Sequence, residues 1–133
     1  MKIHHIGYAV KNIEKSEISF QQLGYQSEGE MVVDYQRNVK ILFMMNENYR
    51  IELVESYDTE KVSPVDKYLL HQKDTAVPYH LCYEVSDIDS KIGELRKEKF
   101  ILVEFPNNAP AINNAKVAFL YKRTIGLIEL VEA

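Results

Sequence analysis

A chain of 133 residues, 46% hydrophobic and 27% charged, has the make-up of one globular domain able to bury roughly two-thirds of its unfolded surface. A net charge of -4 with scattered basic residues argues against nucleic-acid binding, and no apolar run approaches the ~18–20 residues of a membrane span. The N-terminus, Met-Lys-Ile-His-His, has no apolar leader segment and Cys82 is the single cysteine, so a reducing cytoplasm is the expected setting.

In chain order, residues 3–10 alternate around Ile6, Tyr8 and Val10 as a strand does. Asn12 is a good N-cap for a helix from Ile13 to Leu23 that stops at Gly24. Three strands are then expected at 25–33, 38–45 and 49–55. A connector over 57–78 carries a short helix, with Ser63 as N-cap, Pro64 at its first position and Asp66 in its first turn. Val65 and Leu69 would anchor that helix, and His71 reads as a surface residue. A second strand–helix pair follows, Asp87 capping a helix whose Ile88, Ile92 and Leu95 share one face. Strands are predicted at 100–105, 116–121 and 126–132, and the Asn/Pro-rich stretch 107–114 reads as a loop.

The second half repeats the first. His5-Ile-Gly-Tyr-Ala-Val returns as His80-Leu-Cys-Tyr-Glu-Val, 75 residues on, and Ile51-Glu-Leu-Val-Glu returns as Ile128-Glu-Leu-Val-Glu, 77 residues on. Only two copies exist and the period is too long for a solenoid, so this is a duplicated β-α-β-β-β module. The expected organisation is a single α+β domain over 1–133, with modules at 1–56 and 79–133.

Side chains alternate across a strand, which puts His5 on the face opposite Ile6 and Tyr8, and Glu52 opposite Ile51 and Leu53. The same parity sets His80 against Leu81 and Tyr83, and Glu129 against Ile128 and Leu130. If the apolar faces pack on the helices, two imidazoles and two carboxylates line the other face. That donor set suits one divalent ion such as Ni, Co, Zn, Mn or Fe(II), with Mg also a candidate, and leaves positions for substrate oxygens. His4 is the neighbouring alternative, but the repeat register selects His5.

These residues carry a resemblance. His5-Ile-Gly-Tyr-Ala-Val, Tyr49-Arg-Ile-Glu-Leu-Val-Glu, Ser63-Pro-Val, Tyr79-His-Leu-Cys-Tyr-Glu-Val and Gly126-Leu-Ile-Glu-Leu-Val make the chain resemble the vicinal oxygen chelate superfamily along nearly its full length. In that superfamily paired β-α-β-β-β modules form a U-shaped mixed sheet around a metal site. The chain looks most like methylmalonyl-CoA epimerases, with glyoxalase I (lactoylglutathione lyase) a close relative. The resemblance implies His5, Glu52, His80 and Glu129 as metal ligands, and Glu129 or its counterpart Glu52 as the base moving a proton next to a carbonyl. It implies a small acyl-CoA or 2-oxo (thiohemiacetal) substrate and a homodimer.

One departure stands out. The epimerases carry a second, unligated glutamate before the third strand, and Gln36 occupies that place; Asp34 is nearby and Arg37 adjacent. Gln36 and Arg37 are therefore candidate substrate contacts, the alternative for Arg37 being a solvent-facing edge-strand residue. Two other functions remain open: a glyoxalase I type lyase, and a non-catalytic small-molecule binder of the same fold.

Overall fold

The computed structural model describes residues 1–133 and contains nine strands and three α-helices. No helix is long and apolar enough to cross a membrane. The chain divides into two compact units, Ile6–Tyr79 and Met1–His5 with His80–Ala133.

The first of these holds the Ile6–Ala9 part of strand β1 (Ile3–Ala9), then β2 (Gln26–Ser27), β3 (Val32–Asp34), β4 (Val39–Asn46) and β5 (Tyr49–Ser56), with helices α1 (Ile13–Gln21) and α2 (Asp66–Leu69). Its strands lie in the order β2-β4-β5-β1, with β3 also paired to β4. β1 runs parallel to β5, and β4 antiparallel to it. Val10, Leu42, Met44, Ile51 and Leu53 pack with Ile13 of α1, flanked by Tyr8, Phe20 and Tyr25. The other unit repeats the plan with β6 (Val77–Val85), α3 (Ile88–Lys97), β7 (Ile101–Ala109), β8 (Ala115–Lys122) and β9 (Gly126–Glu132), its strands in the order β6-β9-β8-β7. β6 and β9 are parallel and the remaining pairs antiparallel. Val85, Ala118, Leu120, Ile128 and Leu130 pack with Ile88 and Ile92 of α3. The protein is α+β, and in each unit the apolar strand face meets the helix as the alternation requires.

The helix starts are duplicated in detail. Asn12 Oδ1 accepts the Lys15 N–H at 2.9 Å, and Asp87 Oδ1 accepts the Ser90 N–H at 3.0 Å. A glutamate from the last strand of each module adds a second cap. Glu55 Oε1 accepts the Ile13 N–H at 2.8 Å, and Glu132 Oε2 accepts the Ile88 N–H at 2.9 Å. A carboxylate there also meets the positive end of the helix dipole. The two glutamates of each Ile-Glu-Leu-Val-Glu motif therefore have different jobs: the second fastens the helix to the sheet.

The helix ends diverge. Tyr25 and Gly24 N–H groups bond back to Phe20 and Gln21 carbonyls, with Gly24 at φ +98. Phe100 and Lys99 repeat those bonds to Leu95 and Arg96, but Lys99 holds the left-handed position at φ +73.

Several expectations are corrected. The strand expected over 25–33 is two short pieces, interrupted around Gly29 at φ +83. The loop expected over 107–114 begins as strand: β7 continues to Ala109 because Asn107, Asn108 and Ala109 pair with Val117, Lys116 and Ala115. Register shifts between Leu102 and Glu104 and between Glu104 and Asn107 accommodate it. Pairing overrides a composition that reads as loop. α2 starts at Asp66, and Ser63 caps it in reverse: the Ser63 N–H donates to Asp66 Oδ2 at 2.9 Å, while the buried Ser63 hydroxyl makes no hydrogen bond.

Asn38 has a role that no local pattern announces. Buried at φ +57, it donates through Nδ2 to the carbonyls of Asp58, Lys61 and Val62 and accepts the Asp58 N–H at 2.8 Å. Its own carbonyl accepts from Tyr57. One side chain thus fastens the connector to the turn before β4.

Replacing Lys99 with Gly should relieve the left-handed strain and raise unfolding stability by about 0.5–1 kcal/mol, read in thermal melts. An unchanged or lower melting temperature would contradict that account. Glu132→Ala should lower stability by about 1–2 kcal/mol in denaturant titrations by leaving the helix-start N–H unpaired.

Candidate metal centre

Strand alternation delivers the site residues. β9 sends Ile128 and Leu130 toward α3, so Glu129 faces the other way, and β6 does the same for His80 and Cys82. Glu129 stands opposite Cys82 on one side and Phe119 on the other in the strand register. The His80 ring meets the Phe119 ring edge-on, centroids 5.3 Å apart. His5 is 1% exposed, His80 4% and Glu129 4%, so all three are out of bulk water.

They converge closely. His5 Nε2 lies 3.1 Å from His80 Nε2, and each of these nitrogens lies 3.1 Å from Glu129 Oε1. Three donor atoms at the corners of a near-equilateral triangle suit one cation. Ligand bonds of ~2.1 Å place neighbouring donors about 3.0 Å apart at right angles and about 3.4 Å apart in a tetrahedron. Glu129 Oε1 is buried between the two imidazoles. Two imidazole nitrogens and a carboxylate oxygen converging at this spacing fit a metal.

Electrostatics agree. Burial works to raise the Glu129 pKa, but the hydrogen-bonding and charge interactions with His5 and His80 outweigh it and hold the carboxyl well below the usual carboxylate range. The group is an anion at neutral pH, which is the form a metal ligand requires.

Glu52 belongs to the other unit and occupies the equivalent place there. It lies on β5, 4% exposed, opposite Gly7 of β1 and Phe43 of β4. Gly7 follows His5 by two residues as Cys82 follows His80, so the pattern His, Gly/Cys, Glu, Phe is the same in both modules. Phe43 and Phe119 escaped the sequence reading, because each falls within a continuous apolar run that does not mark its face.

The remaining candidates sit in the turn between β3 and β4. Gln36 is exposed. Arg37 does not face solvent: its side chain is 12% exposed and donates through Nη1 to Asp34 Oδ2 at 2.8 Å, while its N–H donates to Asp34 Oδ1 at 3.1 Å. Asp34, buried and committed to Arg37, is poorly placed to substitute for the missing glutamate. His71 is exposed.

Comparison with known proteins follows this geometry. Residues 4–119 match the model of the Glyoxalase/Bleomycin resistance protein/Dioxygenase superfamily. The mitochondrial methylmalonyl-CoA epimerase of Dictyostelium discoideum is 25% identical over 133 residues, covering 98% of this chain and 78% of the relative. The crystal structure of a hypothetical protein from Bacillus halodurans C-125 is 28% identical with a TM-score of 0.81, covering 99% of this chain and 94% of that one. Streptomyces coelicolor methylmalonyl-CoA epimerase in complex with 2-nitronate-propionyl-CoA shares the fold, with a TM-score of 0.83 at 18% identity and coverage of 100% and 97%. A duplicated module, a buried His/His/Glu triangle and a family match over most of its length lead to one assignment: the chain belongs to the Glyoxalase/Bleomycin resistance protein/Dioxygenase superfamily.

Proposed function

We propose that the protein is a metal-dependent epimerase or isomerase that moves a proton next to a carbonyl, acting on a methylmalonyl-CoA-like acyl thioester. The observation that carries this reading is the buried 3.1 Å triangle of His5 Nε2, His80 Nε2 and Glu129 Oε1. The 25% identity to a methylmalonyl-CoA epimerase along nearly the whole chain supports the substrate class.

We assign His5, Glu52, His80 and Glu129 as the ligands of one divalent ion. Glu52 is included because it is buried and holds in the first module the register place that Glu129 holds in the second. When bound, the ion would neutralise charge developing on a substrate carbonyl oxygen.

The protein's own groups handle the proton. Epimerisation takes a proton from one face of a carbon and returns it to the other, and two carboxylates at equivalent places of a duplicated module suit that task. We assign this to Glu129 and Glu52. Glu129 is already in its basic, ionised form, but the contacts that keep it ionised also weaken it as a base. Proton uptake therefore requires its contacts with His5 and His80 to loosen as substrate binds. Burial keeps competing water away from both carboxylates. Gln36 and Arg37 are assigned to the polar end of the substrate, with Arg37 braced by Asp34. The expected working form is a cytoplasmic homodimer.

Elemental analysis should find stoichiometric divalent metal in the purified protein, and His5→Ala or Glu129→Ala should abolish it. Full metal content in both variants would remove the centre. In D₂O the protein should exchange the α-proton of methylmalonyl-CoA, and Glu129→Gln or Glu52→Gln should slow that exchange about 10²–10⁴-fold. Metal without exchange would keep the centre and overturn the substrate assignment.

A further inference from the structure

His4 lies outside the four-residue set, and the repeat register passes over it. Yet its Nδ1 lies 2.8 Å from Nδ1 of His5, with the rings nearly perpendicular at 79° and their centroids 5.1 Å apart. Two ring nitrogens at that distance share one proton: one is N–H and the other presents a lone pair.

Proton accounting decides which. A histidine that ligates through Nε2 must be neutral with its lone pair on Nε2, so its proton resides on Nδ1. His5 Nε2 is the atom that faces His80 Nε2 and Glu129 Oε1. His5 Nδ1 must then be the donor and His4 Nδ1 the acceptor. Cys82 Sγ also lies within 4.8 Å of these rings, but a thiol sulfur is a weak acceptor beside an imidazole nitrogen.

We propose that His4 is a positioning residue for the metal centre: by accepting the Nδ1–H of His5 it fixes the tautomer and ring orientation that turn the His5 Nε2 lone pair toward the ion. The proposal rests on the metal-ligand reading of His5 given above. It also makes the two modules unequal. The place of His4 is taken in the second module by Tyr79, whose ring packs on Tyr68 with centroids 4.9 Å apart. The double histidine of the first strand is thus a ligand and its orienting partner.

Two substitutions separate hydrogen bonding from packing. His4→Phe keeps a ring against His5 and removes the acceptor, whereas His4→Asn keeps an acceptor at nearly the same place. Co(II) and Zn(II) dissociation constants, measured by competition with a chromophoric chelator, should rise about 10–100-fold in His4→Phe and stay within about threefold of the parent in His4→Asn. ¹⁵N NMR of the Zn(II)-loaded parent protein should show His4 protonated on Nε2 with its Nδ1 unprotonated, a readout that needs no variant. Parent-like affinity in His4→Phe, equal losses in both variants, or His4 protonated on Nδ1 would each overturn the proposal while leaving the metal centre standing. A parent protein that binds neither ion would instead remove the centre and the proposal together.

Discussion

Strand alternation is the constraint on which both the core and the site depend. A residue step along β5 or β9 reverses the face, so Leu53 and Leu130 reach their helices while Glu52 and Glu129 point away. A one-residue slip of either strand would bury a carboxylate against a helix and turn an isoleucine and a leucine onto the opposite face. Parallel pairing of each glutamate strand with its histidine strand fixes the register that sets Glu52 beside Gly7 and Glu129 beside Cys82. The helix-capping glutamates reinforce that register. Glu55 and Glu132 lie three steps from Glu52 and Glu129, hence on the opposite face, where they meet the helix starts.

The triangle of His5, His80 and Glu129 concentrates three polar atoms out of water. His5 Nε2 and His80 Nε2 lie 3.1 Å apart in a hydrogen bond, and both lie 3.1 Å from Glu129 Oε1. A buried anion survives because two imidazoles lie against it, and those imidazoles are already arranged around the same point. Packing of the strands does the arranging, with Phe119 against His80 and His4 against His5. The ion proposed to bind there would meet donors that the fold has already gathered.

Much of this was legible in the sequence because the chain states it twice. The repeat located His5, His80, Glu52 and Glu129 and set their faces, since parity follows from counting along a strand. What the sequence concealed depends on distant partners. Nothing local marks Glu55 and Glu132 as helix caps; that role exists only once α1 and α3 fold back onto them. Nothing local marks Phe43 and Phe119 either, since only the strand register sets them beside the glutamates. Asn107 and Asn108 look like loop residues, and only pairing with β8 makes them strand. The Ser63 hydroxyl does not cap because the Asp66 N–H it would accept donates to the Ser63 carbonyl instead, while Asp66 Oδ2 accepts the Ser63 N–H.

Asn38 joins two stretches of chain that are far apart in sequence. Its side chain spans the connector at Asp58, Lys61 and Val62, while its backbone ends the turn that carries Gln36 and Arg37. That turn cannot swing open without tearing several hydrogen bonds at once, and the connector cannot loosen without dragging the turn with it. The two segments form one mechanical unit. An event in the connector, such as a proteolytic nick near Asp58, would be transmitted directly to Arg37, more than twenty residues earlier in the chain.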